Sequence, residues 1–314
     1  MGAPRVSVIM NVRNGAPFLR EALDSALAQT FRDWELVFWD DCSTDDSAKI
    51  VAEYADPRIR YFLSPEETTL GPSRKFAIRH ARGEWLAFLD QDDVWLPDKL
   101  VRQIELADAD LSGRVGMIYG RTVEFFADGR ENDFDTHHEF RYLAEGDLFE
   151  EFFRNSCFVM ISSAMLRRSA LEKIGEIPSD SDLTCDFYIF VAVARFYRVL
   201  AVQRVVCRYR RHATSLSRIK RVAMHQEALL LVKRWAGDLN PAVSKRARRY
   251  HQTLIAWIEI RRPQTFARGI ARLLFEGSVG YALSRPFARI TRWIRRRIQR
   301  PLWKFPPPPQ TAGQ

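Results

Sequence analysis

Residues 85–98 read WLAFLDQDDVWLPD, and the fold turns on how they are read. Trp85 to Leu89 are apolar without a break, the pattern of a short strand covered on both faces. Acid follows at once, in Asp90, Asp92 and Asp93 around Gln91. Pro97 and a helical signal from Asp98 to Ala109 then put those carboxylates in a loop where a strand hands over to a helix. That is the edge at which open α/β sheets bind ligands. Three carboxylates in four residues repel one another unless a cation lies among them. Mg2+ or Mn2+ takes oxygen ligands and usually shares its shell with substrate phosphate. The stretch therefore points to a metal–diphosphate site, with Asp92 and Asp90 as the ligands. A loop whose Asp93 or Asp98 merely caps the next helix is the plainer alternative.

Working outward, Val6–Met10 reads as a first strand and Asn11–Gly15 as a polar loop. A helix is predicted from Pro17 to Gln29, with Pro17 suited to its first turn. Trp34–Trp39 is a second strand ending in Asp40 and Asp41, Ala48–Tyr54 a helix, and Ile59–Leu63 a third strand. Gly71 and Pro72 open a helix to His80. Strands alternating with helices at this spacing give an α/β fold, a Rossmann-like, mostly parallel sheet flanked by helices. Gly116–Phe126 follows as a strand, Leu148–Arg154 as a helix, Cys157–Leu166 as a strand-like run and Ser169–Ile174 as a helix closed by Gly175. Asp180, Asp182 and Asp186 precede an apolar helix, Phe187–Phe196; Val199–Val206 is a last strand, and His225–Ala236 a helix packed on the body.

The net charge of +9 over 314 residues hides a split. Residues 1–203 carry a net −12, residues 204–314 a net +21. An acidic body with a basic tail suits an anionic partner for the tail, either membrane or nucleic acid. Cys42, Cys157, Cys185 and Cys207 lie far apart with no CxxC spacing, which suits a reducing compartment and argues against a zinc site or disulfide framework. The first apolar run is too short for a signal peptide, and no stretch approaches the ~20 apolar residues of a membrane span.

Five separated stretches, in order, resemble the family 2 inverting glycosyltransferases of the GT-A fold: VSVIMNVRNGAPFLREALDSALAQT (6–30), ELVFWDDCSTDDS (35–47), GPSRKFAIRHARGEWLAFLDQDD (71–93), CDF (185–187) and YRRHATSLS (209–217). The resemblance covers roughly residues 5–217. It departs at Asn11, where the family often has Pro, at Arg13, often aromatic, at Cys42, often Gly, and at Lys75, often Asn. It implies a GT-A catalytic domain over residues 1–217 that moves a sugar, with inversion, from a nucleotide-diphosphate sugar to an acceptor hydroxyl. The acceptor expected from it is a saccharide or lipid-linked saccharide of cell-surface polysaccharide synthesis. Mn2+ or Mg2+ would sit on Asp92 and Asp90.

Donor-side residues are then expected at Asn11, Arg13, Asp40, Asp41, Arg74, Asp90, Gln91, Arg211 and His212. Asp41 is expected, by resemblance, to accept a hydrogen bond from the base, although Asp40 and Asp41 also suit a turn. Arg74, on the helix after Gly71, can reach the nucleotide with a planar charged fork or be a solvated surface residue. Arg211 and His212 resemble a segment that folds over the diphosphate, where cationic groups would neutralise the departing phosphate. Inversion needs a general base, and Asp186 at the mouth of an apolar helix is the candidate, with an N-cap role as its alternative and Asp180 and Asp182 as fallbacks. His137 and His138 read as solvent-exposed residues of an acceptor-side loop.

Residues 218–304 read as a helical basic extension and 305–314 as a Pro-rich disordered tail. One amphipathic helix carries Phe266, Ile270, Leu273 and Leu274; a second carries Phe287, Ile290, Ile294 and Ile298 with six arginines around it. Such helices lie in a membrane interface, which predicts peripheral docking on the cytoplasmic leaflet; packing on the catalytic domain or a dimer contact is the alternative. The aromatics sit on apolar helix faces and not at base-stacking positions, which counts against nucleic acid as the partner. A nucleotidyltransferase would also use carboxylate-held metal, but no glycine-rich basic loop follows the first strand.

Overall fold

The computed structural model describes residues 2–133 and 142–275. His137 and His138, the helix expected around Phe287–Ile298 and the Pro306–Pro309 run lie outside them. The chain begins β1 (Val6–Val12), α1 (Ala16–Leu27), β2 (Trp34–Asp40), α2 (Ser47–Ala52), β3 (Ile59–Leu63), α3 (Leu70–Arg79) and β4 (Trp85–Phe88). It continues through β5 (Val94–Trp95), α4 (Lys99–Asp108), β6 (Val115–Phe126), β7 (Glu131–Asp133), α5 (Phe149–Asn155), β8 (Met165–Arg167), α6 (Arg168–Ile174), α7 (Cys185–Ala194) and β9 (Arg198–Arg211). Four helices follow: α8 (Leu216–Ile219), α9 (Arg221–Arg234), α10 (Pro241–Ile260) and α11 (Phe266–Phe275).

One sheet runs β3-β2-β1-β4-β8-β6-β9-β5, with β7 on β6. The pairings make β1, β2, β3, β4, β6 and β9 point one way and β5, β7 and β8 the other. The expected mostly parallel sheet is present. One face is covered by α1, α2 and α4 through Leu19, Leu23, Ile50, Leu100 and Ile104. The other is covered by α5, α6, α7 and α9 through Phe152, Leu171, Phe190 and Leu231. Because β1 and β4 are sandwiched this way, β4 reads as a solid apolar run and β1 as an apolar one broken only by Ser7 and Asn11.

Cys157–Leu166 is not the strand its apolar residues suggest. Ser156 takes a left-handed φ of 61°, and a single 3-10 turn occupies Ile161–Ser163. Ser163 Oγ donates to the Met160 carbonyl at 2.8 Å, a local bond that competes with a ladder. Only Met165–Arg167 joins the sheet. The last strand, expected over Val199–Val206, instead runs to Arg211, because its arginines find carboxylates: Arg208 pairs with Glu131 at 2.6 Å and Arg211 with Glu124 at 2.8 Å.

By contacts the chain divides into Met1–Arg248 and Arg249–Gln314. The first unit contains α8, α9 and the start of α10, so residue 217, the expected end of the catalytic domain, falls within it. In the second unit Arg272 on α11 meets Glu259 at 3.1 Å, and a Cβ at Gly269 would stand 2.7 Å from the Ile260 amide. Phe266 and Ile270 of α11 are exposed. Among the described residues no helix is long and apolar enough to cross a membrane.

Lys99, at the start of α4, is wholly buried, with Nζ donating to Gln103 Oε1 at 2.7 Å above the Trp95 ring. Burial lowers it from an ordinary 10.5 to about 7. Between those values the unfolded chain holds a proton that the fold does not, so this residue makes stability rise with pH, by about 1.4 kcal/mol per pH unit. Lys99→Met is expected to remove that slope between pH 7 and 10.5 and to raise the neutral-pH melting temperature, read by denaturant and thermal unfolding across pH.

Candidate catalytic site

The acidic loop 90–98 is pinned from four sides. The Asp90 amide donates to Ser162 Oγ at 3.1 Å, and the Trp95 indole to the Ser162 carbonyl at 2.7 Å. From α1, Ser25 Oγ accepts the Trp95 amide, while the side-chain amide of Gln29 donates to the Leu96 carbonyl and accepts from the Leu100 amide. Gln91 pairs with both backbone groups of Arg13, at 2.8 and 3.2 Å, which ties this loop to the one after β1. A Cβ at Gly15 would stand 2.7 Å from the Gln91 oxygen, so that position suits glycine. The fourth anchor is Arg210, which sequence reasoning did not single out. Its amide donates to Asp93 Oδ1 at 3.0 Å, its Nε to the Asp92 carbonyl at 2.9 Å, and its guanidinium also meets Glu21.

The carboxylates differ. Asp93 is fully buried, its Oδ2 has no hydrogen-bond partner, and its carboxyl is held well above the ordinary range by burial and by Asp92 and Asp90. Asp92 Oδ2 lies 2.8 Å from His212 Nε2, and the other ring nitrogen lies 2.9 Å from Thr214 Oγ1. Asp90 keeps one side open, at 34% exposure, and accepts from Arg74 Nη2 at 3.2 Å. Burial of its remainder raises it to about 6 against the pull of Arg74, and the charges of Asp92 and Asp186 add to the rise.

Arg74 is not a solvated surface residue. Its side chain is 3% exposed, with Nη1 3.0 Å from Cys185 Sγ and Nη2 on Asp90. Burial works against its charge, but Cys185, Asp90 and Asp186 hold it above its ordinary value. It thereby links the end of β4 to the start of α7. Every residue of α7 is buried except Asp186, which is half-buried in the first turn and near enough to Asp90 to help raise its carboxyl. The N-cap position belongs to Thr184, so the capping alternative for Asp186 does not hold. Its Oδ1 accepts the Phe187 amide at 2.7 Å; burial raises its carboxyl, while Arg74 and that amide oppose the rise. The fallback acids are spent elsewhere. Asp180 pairs with Arg234 at 2.8 Å, and Asp182 accepts the Gly71 amide at 2.6 Å.

On the β1–β2 side, Asp40 serves the turn: it accepts the Ser43 amide at 2.8 Å and the Tyr61 hydroxyl at 2.9 Å. Asp41 takes the Thr68 amide and hydroxyl, the latter at 2.9 Å, and burial raises its carboxyl. Arg13 donates to the Asp41 carbonyl at 3.1 Å and pairs with Glu67 at 2.6 Å. Asn11 donates to Ser73 Oγ at 2.9 Å. Cys42 has φ 58°, which explains the glycine common there in the family and costs a side chain about 1–2 kcal/mol. Arg211 is turned to Glu124, away from Asp92, because Arg210 and His212 share the opposite side of the strand.

Among the described residues no three His, Cys, Asp or Glu side chains converge as a ready metal cage. The donors fit a hard divalent ion that keeps waters and substrate phosphate in its shell: two neighbouring carboxylates, one of them raised by burial first and by like charge after it.

The acidic loop at the carboxyl edge of β4, faced by a carboxylate from a separate helix, sits in a mostly parallel sheet flanked by helices, the GT-A fold. The profile of glycosyl transferase family 2 matches residues 7–175, more than half of the chain, and the chain belongs to that family. The succinoglycan biosynthesis protein ExoO of Rhizobium meliloti is 42% identical over 106 residues, 34% of this chain and 30% of its own length. WfgD of Escherichia coli, a UDP-Glc:alpha-D-GlcNAc-diphosphoundecaprenol beta-1,3-glucosyltransferase, is 34% identical over 115 residues, 37% of this chain and 44% of its own. The match thus spans less than half of either relative. Two solved structures share the fold. Mannosyltransferase PcManGT from Pyrobaculum calidifontis, with GDP-Man and Mn2+, has a TM-score of 0.59 at 22% identity, covering 94% of this chain and 83% of that one. TarS 1–349 of S. aureus with UDP has a TM-score of 0.56 at 17% identity, covering 83% and 73%.

Removing the cation buried between Asp90 and Cys185 should be costly. Arg74→Met is expected to lower stability by about 2–3 kcal/mol in chemical unfolding, because Asp90 and Cys185 lose their donor. Arg74→Lys is expected to recover only part of it, since a point charge cannot span both acceptors as the fork does.

Proposed function

We propose that the chain is a metal-dependent inverting glycosyltransferase that moves a sugar from a nucleoside-diphosphate sugar to an acceptor hydroxyl. The observation that carries this is the placement of Asp186, the one half-buried residue of an otherwise buried helix, within electrostatic reach of the Asp90–Asp93 cluster. Asp92 and Asp90 would hold Mn2+ or Mg2+, which when bound supplies positive charge at the diphosphate leaving group. Arg13 and Asp41 line the side of the cleft where the base end of the donor would lie. Asp186 takes the proton from the acceptor hydroxyl; that oxygen bonds the anomeric carbon from the face opposite the leaving group, and the C–O bond to phosphate breaks with its electron pair on the diphosphate. Arg210 and His212 hold Asp92 from behind, and His212 would meet the departing phosphate.

The acceptor we infer is a saccharide of cell-surface polysaccharide, free or lipid-linked. The names of ExoO and WfgD support it, and so does the basic C-terminal half, which suits a protein resting on the cytoplasmic face of the membrane.

Asp186→Asn is expected to keep donor binding and to lower transfer by about 10^2–10^4-fold. Because the base must be ionised, wild-type kcat/KM is expected to rise with pH through a midpoint above the ordinary aspartate value of 3.8, and the variant to lose that limb. Release of nucleoside diphosphate is the expected product signature; release of pyrophosphate would mean nucleotidyl transfer instead. Near-normal turnover by the variant would remove Asp186 from the mechanism.

A further inference from the structure

From Phe187 to Gln226 the sequence contains no Asp or Glu and nine Lys or Arg. This carboxylate-free stretch begins just after Asp186, passes His212 on Asp92, and ends beyond α8. Within it α8 is patterned inside out. Ser215 precedes the helix and is buried, with its carbonyl accepting the Arg218 and Ile219 amides. Ser217 Oγ lies 2.9 Å from the Tyr209 hydroxyl of β9. The serines thus fasten the turn to the body, while Leu216 and Ile219 stand 41% and 56% exposed. Arg218 and Lys220 are exposed beside them. A lone exposed leucine is ordinary, but two aliphatics turned out over inward serines, flanked by cations, are not a pattern for water. It is the pattern of a segment that meets a headgroup layer, with aliphatic tips in the acyl boundary and cations on phosphates.

We propose that α8 and the turn after it form a docking edge by which the catalytic unit rests on an anionic lipid surface. Charge complementarity chooses the occupant: Arg218 and Lys220 stand exposed on either side of Ile219, cations that a negatively charged plane would pair. His212 begins the turn that carries α8 and touches Asp92 at 2.8 Å, so the edge lies a few residues from the reaction centre. A surface-bound enzyme would then meet an acceptor carried in the same lipid plane. This last consequence rests on the transferase reading; the docking itself does not.

The test uses the full chain with vesicles of phosphatidylcholine alone or mixed with phosphatidylglycerol. Wild type is expected to partition onto the mixed vesicles, weakly onto the neutral ones, and less at high salt. The double variant Ile219→Asp with Lys220→Glu is expected to lower that partitioning by about tenfold or more. It should keep the wild-type melting temperature and the rate of metal-dependent donor hydrolysis in solution. Ile219→Trp is expected to raise partitioning severalfold. A folded double variant that binds the mixed vesicles as wild type does, or equal binding to both vesicle types, overturns the proposal. Should the double variant fail to fold, absence of any gain from Ile219→Trp overturns it instead. A variant that loses only self-association, with vesicle binding unchanged, would assign the edge to a second copy and overturn it too. Wild type that binds mixed vesicles but turns over no donor would strike the transferase reading and leave the docking edge standing.

Discussion

Mutual repulsion among carboxylates in a partly dry cleft is the constraint around which this molecule is arranged. Asp90, Asp92 and Asp93 end one strand, Asp186 begins a helix from elsewhere in the chain, and one buried cation, Arg74, stands between the two groups. Burial penalises every one of these charges, and the surrounding structure answers each separately. Asp93 is pushed towards its neutral form and accepts the Arg210 amide through Oδ1. Asp92 has His212, Asp90 has Arg74, and Asp186 has the first-turn amide of α7. What remains uncompensated is concentrated on Asp90, whose carboxyl stands near 6. A cleft in that state favours a divalent cation that brings its own phosphate ligands.

The fold places these groups by simple means. Parallel pairing of β2, β1 and β4 brings the loops after all three strands to one edge, so Asp41, Arg13 and the acidic loop become neighbours. The antiparallel strand β8 then extends the sheet, and the Ile161–Ser163 turn before it presents Ser162 to the acidic loop on two hydrogen bonds. β9 returns beside β6, and its end lays Arg210 and His212 behind Asp92. Most of the candidate donor-side groups thus come from the first ninety or so residues, His212 from the end of β9, and the candidate base from α7 far along the chain.

Much of this was legible in the sequence because burial writes strong patterns. Largely apolar runs at Val6–Met10 and Trp34–Trp39 and a solid one at Trp85–Leu89 marked central strands, and acid after the second and last of them marked the ligand edge. Less was legible where a side chain is satisfied by tertiary partners. Arg74 looks like a surface residue of a helix, and only the packing of α3 against α7 turns it inward. Asp40 and Asp41 are adjacent and alike, yet one holds a turn and the other faces Thr68. Cys157–Leu166 is apolar enough for a strand, but inward serines make it a turn. Arg210 could have been found by reading strand alternation through to His212, which puts the two on one side and Arg211 on the other. The two-residue strand β5 has no sequence signal of its own; it exists because the acidic loop is held against β9.

The claim on which everything rests is that the carboxylates at 90 and 92 engage a donor diphosphate through a divalent ion. Calorimetric titration of UDP, GDP and dTDP into folded protein, with Mn2+ and with chelator, tests it directly. The account expects one of these nucleotides to bind only when Mn2+ is present, and Asp92→Asn to abolish that binding without loss of the folded state. Equal affinity in chelator, or unaltered Mn2+-dependent binding in the variant, would contradict it.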